Sequence, residues 1–272
     1  MADKYAVIGN PIAHSKSPLI HKMFAEQTGQ DISYEAILVP PGPDDFTAEI
    51  VRLHKEGYKG CNVTVPFKQH AFQLDIIGIA RSLSEDVTHA MAANTLKFLN
   101  GGIQLENTDG IGLVRDLTEN LGVDLKGKKL LLVGAGGATR GAVLPLRCAG
   151  ANITITNRTI DKAYHLAKRF KVSSCNYGEL AGKQFDVVIN ATSSGLSDEM
   201  PDIPATIFAP GALAYDMMYG RETPFMKFAR EQGAAIVSDG LGMLVEQAAE
   251  AFYIWRGVRP ETAPVIAALR AK

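Results

Sequence analysis

Almost from end to end, short apolar runs alternate with segments of helical period, and this alternation confines the chain to βα units built into mainly parallel sheets. Runs of strand character stand at Tyr5–Gly9, Ser33–Val39 and Gly60–Val65, with helical patterns between them at about Ser17–Thr28 and Asp44–Glu56. The rhythm then breaks. Asn94–Leu99 and Ile103–Glu106 flank Asn100-Gly101-Gly102, which signals a hairpin rather than a crossover. From Asp109 the rhythm resumes, with a helix at about Gly112–Leu121 and strands at Lys129–Val133, Asn152–Thr156, Phe185–Asn190, Leu213–Asp216 and Ala234–Val237. These later runs are almost wholly apolar, as a parallel sheet covered on both faces requires. A last helix is expected from near Met243 to Gly257, whose glycine suits a C-terminal cap. At 272 residues the chain suits two modest domains, with the break in style placing a boundary near residue 108.

Composition excludes several kinds of partner. The chain is 46% hydrophobic and 21% charged, with a formal net charge of −1. Nothing in that balance favours nucleic acid or an anionic membrane. No apolar stretch approaches the roughly 20 residues that span a bilayer. Met1-Ala2-Asp3-Lys4-Tyr5 lacks the pattern of a secretion signal, so a cytoplasmic address is expected. Cys61, Cys148 and Cys175 lack metal-ligand spacing and form no disulfide framework. Each is expected to serve as a small buried apolar residue, and no metal site is expected.

One βα turn carries more chemistry than the rest. Leu130-Leu131-Leu132 runs into Val133-Gly134-Ala135-Gly136-Gly137-Ala138-Thr139-Arg140-Gly141. Glycines let the backbone approach a pyrophosphate, and the unpaired N–H groups of the following helix point at its charge. The third position of the glycine pattern is Thr139, so the surrounding strand, helix and second strand Asn152–Thr156 carry the assignment. At the end of that second strand an NAD enzyme places an acid for the ribose hydroxyls. Here stand Asn157-Arg158-Thr159, with Lys162 one turn on. A guanidinium pairs with a 2′-phosphate that an acid would repel, so the dinucleotide expected is NADP(H). Asp161, the one nearby acid, falls in the first helical turn, where it favours the dipole. After a third strand, Thr192, Ser193 and Ser194 offer hydroxyls that either line the cofactor or close a capped turn.

Four further segments are denser in polar groups than a core or plain loop needs: Gly9 to Pro18, Asn62-Val63-Thr64-Val65-Pro66-Phe67-Lys68, Asn107-Thr108-Asp109-Gly110, and Asp239 to Met243. Ser17 is placed to cap the first helix, with Pro18 at its first position. Capping leaves Ser15 unexplained. Gln247 shares a helical face with Leu244, Ala251 and Trp255. An amide in that apolar stripe needs a partner, either a ligand hydroxyl or a buried bond between helices.

Together with the glycine turn and Asn157-Arg158-Thr159, these segments resemble the NADP-dependent shikimate dehydrogenase family, in order and over nearly the whole chain. The resemblance implies two α/β domains separated by a deep groove. A substrate-binding and catalytic domain would comprise residues 1–108 and 241–272, and a doubly wound, Rossmann-like NADP domain residues 109–240. It implies reversible NADPH-dependent reduction of 3-dehydroshikimate to shikimate, a step of chorismate and aromatic amino-acid biosynthesis. The partner would be that small molecule, and the protein a monomer or homodimer.

Residue by residue, the resemblance makes Lys68 and Asp109 the catalytic pair and gives Ser15 and Ser17 the substrate carboxylate. Thr64, Asn94 and Gln247 match positions that bind ring hydroxyls, and Tyr219 one near the carboxylate. Gly134, Ala135, Gly136, Gly137 and Ala138 match the pyrophosphate turn, and Met217 and Gly240 the nicotinamide lining. The chemistry fits: an ammonium can bond the carbonyl oxygen, stabilise its growing charge and supply the proton, while a carboxylate orients it. Lys68 is favoured as the acid/base, a choice that rests on pKa values a sequence does not reveal. Lys162 departs from relatives that carry a second arginine, which keeps the charge and loses the planar fork. The alternative is a quinate/shikimate dehydrogenase of broader substrate range that uses NAD. A methylenetetrahydrofolate dehydrogenase would give no reason for Ser15 and Ser17. A sensor binding shikimate-like acids without turnover would have lost the lysine–aspartate pair.

Overall fold

A computed structural model describes residues 2–192, 194 and 198–271; Ser193 lies outside the described residues. The chain divides into two compact units, Met1–Gly112 with Val245–Lys272, and Leu113–Leu244.

The first unit contains β1 (Asp3–Gly9), α1 (Ser17–Thr28), β2 (Ile32–Leu38), α2 (Pro43–Lys55), β3 (Gly60–Val63), α3 (Lys68–Ile76), β4 (Ala80–Leu83), α4 (Glu85–Ala90), β5 (Thr95–Leu99), β6 (Gly102–Glu106) and the start of α5 (Asp109–Arg115). Its six strands run β2-β1-β3-β5-β6-β4. β1 pairs in parallel with β2 and β3, whereas β5 is antiparallel to β3 and β6. The expected hairpin is there. Gly101 and Gly102 take φ of 88° and 156°, values that side chains rarely adopt, to turn β5 into β6. One face of the sheet buries Ala6, Ile8, Cys61, Val63, Leu96 and Phe98; Tyr5, at an alternate position, faces the other way against Trp255.

The second unit follows with β7 (Lys129–Val133), α6 (Gly137–Cys148), β8 (Asn152–Thr156), α7 (Ile160–Phe170), β9 (Ser173–Cys175), β10 (Phe185–Asn190), β11 (Phe208–Asp216), α8 (Pro224–Glu231) and β12 (Ile236–Ser238). After them come α9 (Leu241–Arg256) and α10 (Ala263–Arg270). Six parallel strands stand in the order β12-β11-β10-β7-β8-β9, so the chain winds outward both ways from β7. The apolar run of β7 explains itself. Leu130 and Leu132 enter one core with Ile153, Ile155 and Ile189, while Leu131 and Val133 enter another with Val188 and Ala214. Truncating any of these leucines to alanine would cost about 2–5 kcal/mol.

Three details depart from the sequence reading. The helix expected from Gly112 begins at Asp109 and widens into a π-helical turn over Asp116–Asn120. There the buried Asp116 carboxylate accepts from the Tyr215 hydroxyl at 2.6 Å and from Asn120 Nδ2 at 3.0 Å. Cys148 is exposed, at the C-terminal end of α6, while Cys61 and Cys175 are buried. Lys16, not Ser17, stands at the N-cap of α1; the Ser15 hydroxyl accepts from the Ser17 N–H at 3.3 Å, so the turn closes one residue earlier.

Candidate active site

In the first unit the loops that leave the carboxyl ends of β1 and β3 lie against one another. A Cβ on Gly9 would stand 2.5 Å from the Thr64 methyl, so only glycine admits this approach. The first loop carries Ser15 and Ser17 toward α1, and the second carries Thr64 toward α3. Phe67, fully buried and stacked on Phe46 at 5.3 Å, anchors the chain one residue before Lys68.

Lys68 opens α3 and Asp109 opens α5. Lys68 Nζ donates to Asp109 Oδ2 at 2.5 Å. Their side chains are 30% and 17% exposed, which leaves the pair open to a ligand. The carboxylate is held from behind: Asn94 Nδ2 donates to Asp109 Oδ1 at 2.8 Å, and Asn107 Oδ1 accepts from the Asp109 N–H at 3.2 Å. Asn94 is itself buried, its Oδ1 accepting from the Thr108 N–H at 2.8 Å.

Gln247 reaches the same cluster from α9. Its Oε1 lies 3.4 Å from both Asn94 Nδ2 and Thr108 Oγ1. Gly112 makes this possible, because a Cβ there would come within 2.6 Å of the Gln247 backbone nitrogen. The amide in the apolar stripe thus has partners within the protein, at distances long enough to be exchanged for a ligand hydroxyl. The indole Nε1 of Trp255, two turns on, donates to the Leu96 carbonyl at 3.0 Å and fixes α9 to β5. Sequence reasoning missed Thr108, Asn62 and Thr95 in this network. Asn62 and Thr108 lie inside motifs already singled out, so their signal was present; Thr95 is an ordinary strand residue and offered none.

In the second unit a cavity of about 830 Å³ opens at the carboxyl ends of β7, β8 and β10. This is the point where the strand order reverses, the usual ligand crevice of such sheets. Gly134, Ala135, Gly136 and Gly137 line it with Asn157, Arg158, Thr159, Lys162 and Thr192. Gly134 has φ of 112°, and a Cβ there would press on the Ala191 backbone at 3.2 Å. Asn157 ties the first two strands together, its Oδ1 accepting from the Ala135 N–H at 3.2 Å and its Nδ2 donating to the Thr159 carbonyl at 2.9 Å. Thr139 fills the third glycine position because its hydroxyl donates to the Gly134 carbonyl at 2.8 Å and closes the turn. Ala138 is exposed in the first turn of α6 but does not line the cavity.

Thr192 closes the turn and also stands on the cavity wall. Its hydroxyl donates to Asn190 Oδ1 at 2.7 Å within the turn, and the residue lines the cavity. Ala191 and Ser194 line it too, and Tyr177 and the stretch Glu199 to Asp202, which were not foreseen, complete the lining. Burial pushes the Tyr177 phenol up from its ordinary value, with the nearby Arg158 opposing. The chemistry of this lining fits a phosphorylated dinucleotide: bare backbone N–H groups at a helix start for the pyrophosphate, a guanidinium and an ammonium at the end of the second strand. Met217 and Gly240 stand together beyond β11, where a Cβ on Gly240 would meet the Met217 carbonyl at 2.3 Å, and neither lines this cavity. Tyr219 follows two residues after Met217, its phenol raised by burial. Among the described residues, no group of three or more His, Cys, Asp or Glu side chains is placed to hold a metal ion, and no helix is long and apolar enough to cross a membrane.

Comparison with known proteins agrees with this geometry. Residues 7–96 match the model of the shikimate dehydrogenase substrate binding domain, residues 116–197 that of shikimate / quinate 5-dehydrogenase, and residues 240–270 that of the shikimate 5′-dehydrogenase C-terminal domain. A shikimate dehydrogenase (NADP(+)) of Methylobacillus flagellatus is 54% identical over 99% of each chain. The crystal structure of an Ael1 enzyme from Pseudomonas putida superposes with a TM-score of 0.93 at 49% identity, covering 98% of each chain. That of shikimate 5-dehydrogenase from Thermus thermophilus, in complex with NADP(H) and shikimate, gives 0.87 at 31% identity over 99% of each chain. With relatives this similar along its full length, and with the lysine, the aspartate and the glycine turn in place, the chain belongs to the shikimate dehydrogenase family.

Proposed function

We propose that this protein catalyses the reversible NADPH-dependent reduction of 3-dehydroshikimate to shikimate. The observation that carries the reading is the Lys68–Asp109 pair, in contact at 2.5 Å, partly exposed, and braced by Asn94. NADP(H), when bound, supplies or accepts the hydride at the ring carbon. Everything else falls to this chain's own residues. The Lys68 ammonium bonds the substrate carbonyl oxygen, stabilises the negative charge that grows there and gives it a proton. Asp109 keeps the ammonium aimed at that oxygen and accepts from a neighbouring substrate hydroxyl. In the oxidative direction neutral Lys68 takes the hydroxyl proton.

Around the pair, Ser15 and Ser17 hold the substrate carboxylate with Tyr219, and Thr64, Asn94 and Gln247 bond the ring hydroxyls. Residues 1–108 and 241–272 form the substrate domain and residues 109–240 the NADP domain. There the glycine turn through Ala138 takes the pyrophosphate, Arg158 and Lys162 the 2′-phosphate, and Met217 and Gly240 the nicotinamide. The enzyme works without a metal, in the cytoplasm, as a monomer or homodimer.

The test is a steady-state assay of NADPH formation with shikimate, repeated with quinate and with NAD. The reading predicts that shikimate with NADP is the preferred pair. A higher kcat/KM for quinate with NAD would replace it by the quinate/shikimate alternative, and no turnover of either acid would overturn it.

A further inference from the structure

Tyr34 lies on β2, at an edge of the first sheet, and belongs to none of the segments that drew attention in the sequence. Its hydroxyl nevertheless begins a continuous line of hydrogen bonds. The phenol donates to Asn62 Oδ1 at 2.7 Å. That bond fixes which way the Asn62 amide points, because its nitrogen must then face the other side. There Nδ2 donates to Thr95 Oγ1 at 3.0 Å and to the Asn94 carbonyl at 3.2 Å. Thr95 Oγ1 passes its own hydrogen to Asn94 Oδ1 at 3.0 Å. With its oxygen so occupied, Asn94 turns Nδ2 onto Asp109 Oδ1, and Asp109 Oδ2 takes Lys68. Asn62, Asn94 and Thr95 are all buried, so no water competes for the bonds among them. Ser17 also stands beside the Tyr34 phenol, so the same hydroxyl touches the serine loop. The ring is clamped by stacking on His21, centroids 4.2 Å apart and planes 8° from parallel.

We propose that Tyr34 is a positioning residue: through Asn62, Thr95 and Asn94 its hydroxyl sets the orientation of Asp109, and hence of Lys68, while marking the end of the site where Ser17 stands. The proposal rests on the reading of Lys68 and Asp109 given above. An amide that is free to flip presents an acceptor where Thr95 now meets a donor, and the line loses its direction. Replacing the phenol by a phenyl ring keeps the stacking and removes the bond that sets Asn62 together with the contact to Ser17.

The experiment is the steady-state oxidation of shikimate with NADP+ by the full-length parent, Tyr34→Phe, Asn62→Ala, the double variant and Lys68→Ala, with thermal melts of each. Tyr34→Phe is expected to lower kcat about tenfold while leaving KM for NADP+ and the melting temperature near the parent's. The double variant should be no slower than Asn62→Ala alone, since both changes cut one line. A kcat for Tyr34→Phe within twofold of the parent overturns the proposal, as does a double variant whose loss is the product of the two single losses. Should Tyr34→Phe fail to fold, parent-like turnover by Asn62→Ala overturns it equally. An active Lys68→Ala removes the reading beneath it; an inactive Lys68→Ala beside a parent-like Tyr34→Phe removes the proposal alone.

Discussion

The dinucleotide cavity and the lysine–aspartate cluster are assembled in opposite ways. The cavity draws half of its lining from one stretch, Gly134 to Lys162, and its central feature is bare backbone: glycines, an open helix start and two cations just past the next strand's end. The cluster uses almost no backbone. Lys68, Asp109 and Gln247 come from three separate helices and Asn94 from the bend before β5, and their polar groups meet through side-chain hydrogen bonds of 2.5 to 3.4 Å. A cavity made of backbone tolerates many chemistries, which is why such glycine turns recur. A cluster made of side chains admits few, because each member holds the next in a single orientation.

That contrast can be broken most severely at the carboxylate. Asp109→Asn keeps the shape and the bond from Asn94 yet removes the charge that orients Lys68. The expected result is a fall in kcat of about 10²- to 10³-fold with an unchanged melting temperature. Stopped-assay turnover with high enzyme concentration reads it. The cavity should fail differently. Arg158→Ala is expected to raise KM for NADP+ by about 10- to 100-fold, the loss of one or two charge-assisted bonds, while KM for NAD and kcat move by less than about threefold. Equal changes for the two dinucleotides would mean that Arg158 does not read the 2′-phosphate.

The smallest effect concerns stability. His21 is fully buried among Phe24, Tyr34, Phe252 and Trp255, and burial pulls its imidazole down to about 3. Above the ordinary histidine range both folded and unfolded chains carry it neutral, and it adds no pH dependence. As pH falls below about 6.5 the unfolded chain binds a proton that the folded one refuses, so stability drops by about 1.4 kcal/mol for each pH unit until the folded group titrates. His21→Phe should flatten that part of the acid limb, as read by urea unfolding at pH 7, 6 and 5. A parallel pair of stability profiles would show that His21 is not the group responsible.

The same contrast explains what could be read from the chain itself. Strands β7, β8 and β10 were legible to the residue, because buried parallel strands are continuous apolar runs with no competing pattern. β4 was not. It is an Ala-Arg-Ser-Leu edge strand, half exposed, with neither alternation nor an apolar run. The glycine turn and Arg158 could be interpreted from spacing alone, since backbone sites leave their requirements in sequence order. Lys68 and Asp109 could not: nothing in their spacing says that α3 and α5 start side by side, and only the family resemblance joined them. Tyr34 stood outside even that, for its contribution depends on a hydrogen bond across a sheet. The expected cap at Ser17 failed for a local reason: the helix starts one residue earlier, behind Lys16, and the Ser17 N–H is itself taken by the Ser15 hydroxyl.

The division between hydride carrier and proton donor is tested most directly by Lys68→Ala, with turnover and NADP+ affinity measured on the same preparation. The expected result is a kcat lower by about 10³-fold or more, with a Kd for NADP+ by calorimetry near the parent's. A kcat within tenfold of the parent, with NADP+ binding intact, would contradict it.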